Sequence, residues 1–381
     1  MEKVLDRATE VAHEVAGPAA EAVDAEARWP EASLRALQEA GLGGLVVPER
    51  DGGLGYGLAA LAQVCEILGA ACASTAMCFG MHGVGSAVIA AKATEEQQDR
   101  YLEPIVAGRH LTTLTLSEPG TGSHFWLPQS QLHRTDDGFV VSGTKTFVTS
   151  GSHADSYVVS AVDADAASPI GEFSCVVVDA TNPGLEWGPS WDGLGMRGNS
   201  SRSVELRDVR LPEAALLGEP GDQIWYVFNV IAPYFLMAMS GSYLGVAAGA
   251  FEDMRLHVTQ RRYSHDGSRL AEQPVIQHRV GELWAELERT RQLVRHAASG
   301  ADRGEPWALP ALASAKAEVA ECATSVVNGA MTLVGGIGYR EHGSLGRRMR
   351  DARAAHVMAP TTDLLRLWTG RAILDEHILA D

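Results

Sequence analysis

Two periodicities divide the chain. Over residues 1–110 apolar positions recur every three or four residues, as in Leu34, Leu37 and Ala40, then Leu58, Leu61, Val64, Ile67 and Leu68. That spacing is the mark of helices with one buried face. Gly52-Gly53-Leu54-Gly55 interrupts them, and Thr94 followed by Glu95-Glu96-Gln97 reads as a capped helix start. From 111 the apolar runs are short and β-branched: Phe139–Val141, Tyr157–Ala161 and Cys175–Val178, with Gly, Asp, Asn and Pro between them. They predict a compact β domain whose last strand, Ser203–Val209, is closed by Pro212. Helical spacing returns near 219. It predicts an apolar helix over 224–260 and one from Pro274, with Val280, Leu283, Leu287, Leu293 and Val294 as its stripe. An alanine-rich helix over Leu309–Leu333 and a last one over about 361–380 complete the set. Four long helices on short links predict a bundle. The expected domains are 1–110, 111–218 and 219–381, an α+β arrangement.

Composition narrows the partners. A chain of 381 residues, 46% hydrophobic, has room for a substantial core. A net charge of −17 excludes nucleic acid and anionic membrane as partners, since both need basic surface. The five cysteines form no Cys-x-x-Cys pair and no metal-ligand spacing, which predicts reduced, buried thiols in a cytoplasmic protein. The N-terminus is charged and lacks a signal-peptide core. Between Asp222 and Glu252 there is no Asp, Glu, Lys or Arg, a length sufficient for a membrane span. Asn229, Pro233, Ser240, Gly241, Ser242 and Gly245 within it, and the lack of a second such run, favour a buried helix or a subunit interface.

Candidate chemistry centres on two neighbouring stretches. Leu116-Ser117-Glu118-Pro119-Gly120-Thr121-Gly122-Ser123-His124 follows a strand-like run, Leu111–Leu116, and must turn tightly. Its glycines let backbone N–H groups approach a ligand, and its hydroxyls suit a polar planar or phosphorylated one. Alone it is also what an ordinary surface turn looks like. Gly143-Thr144-Lys145-Thr146-Phe147-Val148-Thr149-Ser150-Gly151 reads as a second strand, with Phe147 and Thr149 on one face.

The two stretches resemble the T-E-P-x-x-G-S-D and G-x-K-x-[WF]-I-T motifs of the acyl-CoA dehydrogenase superfamily. The resemblance extends over nearly the whole chain. Val47-Pro48-Glu49-Arg50-Asp51-Gly52-Gly53-Leu54-Gly55, Gly193-Leu194-Gly195-Met196-Arg197-Gly198, Val334-Gly335-Gly336-Ile337-Gly338-Tyr339 and Arg350-Asp351 match further motifs in order. It implies a helical domain, a β-barrel-like domain and a four-helix bundle, and it implies FAD. Carried across, the backbone around Leu116, Ser117, Gly122 and Ser123 faces the flavin, and Phe147 and Thr149 flank its ring. Plain core packing is the other reading of Phe147. Arg262 matches the arginine that meets the FAD pyrophosphate, with Arg261 one residue away. Gly335 and Gly336 match glycines that approach a neighbouring subunit's FAD, and Thr361 the threonine of E-G-T. These imply a homodimer or homotetramer, built through the uncharged 224–251 helix and the 309–335 helix. The family's glutamine at the second bundle helix falls on Pro274, between Gln273 and Gln277.

The resemblance fails where the chemistry should be. Oxidation of an acyl thioester at Cα–Cβ needs a base for the α-proton, and a carboxylate in an apolar pocket suits it. The two family positions for that Glu are Ala359 and Phe235. Asp363, one helical turn on, reads as capping or surface; Tyr234, His82 and His356 are acid/base groups by type alone. The motif's Asp is His124, followed by Phe125-Trp126. The reading adopted is an FAD-dependent oxidoreductase of the dehydrogenase type, acting on a CoA- or carrier-protein-bound acyl thioester with a displaced base. The alternative is a flavin-dependent monooxygenase on the same fold, and a third reading is a non-enzymatic relative.

Overall fold

The computed structural model describes residues 1–165 and 173–379. Five helices open it: α1 Glu2–Val11, α2 Gly17–Ala25, α3 Glu31–Glu39, α4 Leu58–Ala71 and α5 Ala73–Ala91. Two short ones follow, α6 Glu95–Gln97 and α7 Glu103–Val106. Thr94 caps α6 through a reciprocal box with Gln97, as its sequence predicts.

The middle region is one mixed sheet of eight strands: β1 Thr112–Thr115, β2 Gln131–Thr135, β3 Gly138–Val148, β4 Ser156–Asp163, β5 Phe173–Asp179, β6 Leu185–Trp187, β7 Arg202–Leu211 and β8 Leu216–Leu217. Their order is β6-β7-β3-β2-β4-β5-β8, with β1 parallel to β4. The last long strand runs two residues beyond the expected Val209. After Pro212 the chain turns back and adds β8 along β5, an edge pairing too short to show as a periodic run.

The bundle comprises α8 Gln223–Tyr226, α9 Ala232–Gln260, α10 Pro274–Asp302, α11 Ala308–Val334, α12 Ser344–Val357 and α13 Thr362–Ile373. The expected single helix over 224–260 is divided by a π turn at Val227–Ile231, just before Pro233, which has no N–H to donate to the preceding turn. The terminal helix is shorter than expected and ends at Ile373; Ala380 and Asp381 lie outside the described residues.

Residues Leu236–Ala247 of α9 are all fully buried within one protomer. The middle of the uncharged stretch therefore forms intramolecular core, as the buried-helix reading expects. It packs on α4 through backbone. A Cβ on Gly241 would lie 2.1 Å from the Ala62 carbonyl oxygen, and one on Gly69 or Gly245 2.2 Å from those of Ser242 and Glu66. Helix α5 is a second segment long and apolar enough to cross a membrane, against the expectation of one; its apolar window is wholly buried here. Its many small and polar residues, such as Ser74, Thr75, Gly80 and His82, hide it from a reading of large apolar positions.

Candidate active site

A cavity of about 640 Å³ lies where the three regions meet. Its sheet side is the end of β1, the turn after it and the end of β3, contributing Leu116, Ser117, Gly122, Ser123, Phe147 and Thr149. Its helical side is Met77 and Met81 of α5, Ile231, Ala232 and Phe235 around the start of α9, and Met358-Ala359-Pro360 after α12. The loop after β6 closes a third side with Trp191, Gly195, Met196, Asn199 and Ser201.

The sheet side is clamped by an ion pair. Lys145 Nζ lies 2.6 Å from Glu118 Oε1, and both side chains are buried. Glu118 also accepts from the Gln129 N–H at 2.6 Å and the Ser130 hydroxyl at 2.8 Å. Lys145 donates in addition to the Ser160 carbonyl at 2.6 Å. Burial pulls the Lys145 pKa down while the Glu118 carboxylate pushes it up. The pair joins the two stretches that the sequence singles out, and Thr146 N–H adds a bond to the Ser117 carbonyl at 2.8 Å. Opposite charges inside two glycine-containing stretches were the available signal for it.

Phe147 and Thr149 both line the cavity, though not by strand alternation. The β3–β7 register slips between Lys145 and Val148, and Phe147 has φ 55°, so the strand is broken by a bulge. The bulge turns Phe147 outward, leaving it 66% exposed and edge-on to Trp191. That exposure excludes the core-packing reading. Thr149 is buried.

The third side is held by the bundle and the first domain together. Asp351 of α12 accepts from Met196 N–H at 2.7 Å, and burial pushes its carboxyl up to about 6. Arg350 pairs with Asp24 of α2 and donates to the Leu194 carbonyl. Gly195 is required here: a Cβ would sit 2.4 Å from the Arg350 carbonyl oxygen. Arg197 reaches the Asp24 carbonyl from the same loop.

The helical side is pinned by Lys316 of α11, which is 1% exposed. Its ammonium donates to the carbonyls of Ala355 at 2.8 Å, Met358 at 3.0 Å and Pro360 at 2.9 Å. Burial lowers its pKa to about 7. Its one signal in the sequence is a single cation among alanines.

The remaining expected residues lie elsewhere. Ala359 and Phe235 line the cavity, and its one lining carboxylate among the described residues, Glu118, is committed to Lys145. Thr361 caps α13 by accepting from Leu364 N–H, outside the cavity. Arg262 is exposed and donates to the Gly267 carbonyl; Arg261 donates to the Arg262 carbonyl. Gly335 and Gly336 form an exposed turn after α11 with open space where a Cβ would be. None of these four expected residues lines this protomer's cavity. Gln273 caps α10 by position, ahead of Pro274. Asp363 is exposed in the first turn of α13. His82 is a satisfied core residue, bonded to the Gly43 carbonyl and the Thr112 N–H and lowered by burial to about 4. Tyr234 faces a neighbouring cavity, and His356 lies between Thr324 and Thr362.

The site fits a flat polar cofactor. Gly120 and Gly122 have nothing within 4 Å of an added Cβ, leaving an open backbone cradle, and the buried Trp191 Nε1–H has no acceptor among the described residues. A helical domain, a sheet and a bundle enclose the cavity between them. The chain belongs to the acyl-CoA dehydrogenase family, matching its N-terminal domain over residues 1–109, its middle domain over 113–209 and its C-terminal domain over 235–374. It is 30% identical to the cyclohex-1-ene-1-carbonyl-CoA dehydrogenase of Geobacter metallireducens, over 97% of each chain. It is 30% identical to the mitochondrial short-chain specific acyl-CoA dehydrogenase of Bos taurus, over 94% of this chain and 86% of that one. The butyryl-CoA dehydrogenase of Megasphaera elsdenii superposes with a TM-score of 0.92 at 25% identity, covering 98% of this chain and 97% of that one. Family membership makes the protein an oxidoreductase with a flavin cofactor.

Proposed function

We propose that this protein binds FAD and oxidises the Cα–Cβ bond of an acyl thioester presented on CoA or a carrier protein. The Gly120–Gly122 cradle and Ser123 would hold the cofactor's polar part, with Phe147 and Thr149 beside its ring. Bound there, FAD supplies the two-electron acceptor for the substrate's β-hydrogen. The chain's own residues exclude water with an apolar floor of Met77, Met81, Ile231 and Phe235, and orient the acyl group against it. Arg262, Gly335, Gly336 and Thr361 lie outside the protomer's own cavity, which supports a site completed by a partner chain and hence a homodimer or homotetramer. A cytoplasmic location agrees with five buried cysteines joined by no disulfide.

Family membership and the Gly120–Gly122 cradle carry this reading, and among the described residues the cavity offers no uncommitted carboxylate, which sets the expected rate. A positioned general base contributes roughly 10²–10⁴-fold. Saturated acyl-CoAs should therefore bleach the flavin slowly under anaerobic conditions, and Ala359→Glu should accelerate the bleaching. Fast bleaching of the unmodified protein by a straight-chain acyl-CoA would show that another group serves as base. The same observation favours one second reading, a monooxygenase, whose substrate need lose no α-proton. It prevails if no thioester bleaches either form while externally reduced flavin supports oxygen incorporation into a small molecule.

A further inference from the structure

Lys316 differs from Lys145 and Arg348, buried cations that face Glu118 and Asp253. Among the described residues it has no carboxylate partner, and its side chain does not line the cavity. Removing an ammonium from water is costly, and the cost is recovered only when each N–H finds an acceptor. Here three N–H groups meet three main-chain carbonyls, those of Ala355, Met358 and Pro360. The acceptors are not scattered. Ala355 is in the last turn of α12, and Met358 and Pro360 bracket Ala359 in the connection to α13.

We propose that Lys316 is a positioning residue for the site: it fixes the Met358-Ala359-Pro360 segment as the helical wall against which the acyl group is placed. The geometry leaves this segment few other ties. Thr361 is engaged in capping α13, His356 bonds sideways to Thr324 and Thr362, and Met358 adds its N–H to the Ala354 carbonyl at 3.0 Å and a weak contact from the Tyr243 hydroxyl to its sulfur at 3.7 Å. Without the lysine, three carbonyls lose their donor at once and the wall is free to shift, while the flavin cradle on the sheet side is untouched. The inference rests on the thioester reading for its substrate and on geometry alone for its mechanical part, so the two can fail separately.

The test uses the flavin-loaded protein with Lys316→Met, which keeps the length and removes the donors, and Lys316→Arg, which restores a cation. Amide hydrogen exchange over 355–361 reports the wall, FAD dissociation reports the cradle, and titration with octanoyl-CoA, followed by the flavin absorbance, reports the site. The expected result for Lys316→Met is at least a tenfold faster exchange confined to 355–361 and a tenfold weaker octanoyl-CoA response. FAD retention should change less than twofold, and Lys316→Arg should recover part of both losses. Unchanged exchange over 355–361 in Lys316→Met overturns the proposal, as does a loss of FAD equal to the loss of octanoyl-CoA. If Lys316→Met does not fold, Lys316→Arg with native exchange and a native octanoyl-CoA response supports it, and a native response after Lys316→Gln overturns it. An unmodified protein that ignores octanoyl-CoA, with the exchange difference still present, defeats the thioester reading and leaves the positioning role standing.

Discussion

The sheet wall and the helical wall of the cavity bury a lysine each and solve the problem differently. Lys145 faces a carboxylate, Glu118, and the pair stitches two loops together. Lys316 faces main-chain carbonyls only. Removing one member of a buried pair strands the other charge, whereas removing a lone cation strands nothing charged. The two walls should therefore respond to the same mutation very unlike each other.

The largest effect belongs to Lys145→Met, which leaves Glu118 buried and unpaired. About 3–5 kcal/mol of stability should be lost in denaturant unfolding, and Glu118→Gln added to it should recover a substantial part. A double variant no better than the single would show that packing, not stranded charge, sets the loss. Next comes Asp351, whose carboxyl is raised from 3.8 to about 6 by burial. Between those values the folded chain holds more protons than the unfolded one, so this group's contribution falls as pH rises through that window. Asp351→Asn keeps an acceptor for Met196 N–H, and its stability relative to the native protein should climb by up to about 3 kcal/mol from pH 4 to 7.

Lys316→Met should cost about 1–2 kcal/mol at neutral pH, since lost hydrogen bonds are offset by a charge no longer buried. Its folded pKa of about 7 lies below the ordinary 10.5. The unfolded chain then binds more protons between those values, and the native protein gains stability with rising pH there. The gap between native and Lys316→Met should widen from pH 7 to 10, opposite in sign to the Asp351 trend. Smallest of all, Phe147→Ala should shift stability by less than about 0.5 kcal/mol, as for an exposed side chain. FAD should nonetheless dissociate faster from it, and an unchanged rate would remove Phe147 from the cofactor's neighbours.

The contrast also explains what was legible. On the sheet side the informative features are side chains and glycines in fixed order, so the family likeness of two motifs points to Leu116, Ser117, Gly122, Ser123, Phe147 and Thr149, and these residues share one cavity. Phe147 and Thr149 reach the cavity through a bulge, which has no sequence period, and not by strand alternation. On the helical side the acceptors of Lys316 are main-chain atoms, which every residue carries, and nothing in the residue types announces them. Asp351 was visible as part of Arg350-Asp351, yet its partner is the backbone N–H of Met196, 155 positions away in the chain. Arg262, Gly335, Gly336 and Thr361 came from family likeness, and one protomer does not bring them to its own cavity.

The glycines between α4 and α9 set a rule for anyone stabilising this protein. Replacing a helical glycine by alanine ordinarily gains about 1 kcal/mol through backbone entropy and helix propensity. Gly281 of α10 and Gly370 of α13 have open space for the added methyl and are sound targets for that substitution. Gly69, Gly241 and Gly245 are helical too, but there the methyl would meet a carbonyl oxygen at 2.1–2.2 Å and force two core helices apart. A consensus or propensity score cannot separate the two groups; the helix crossing does.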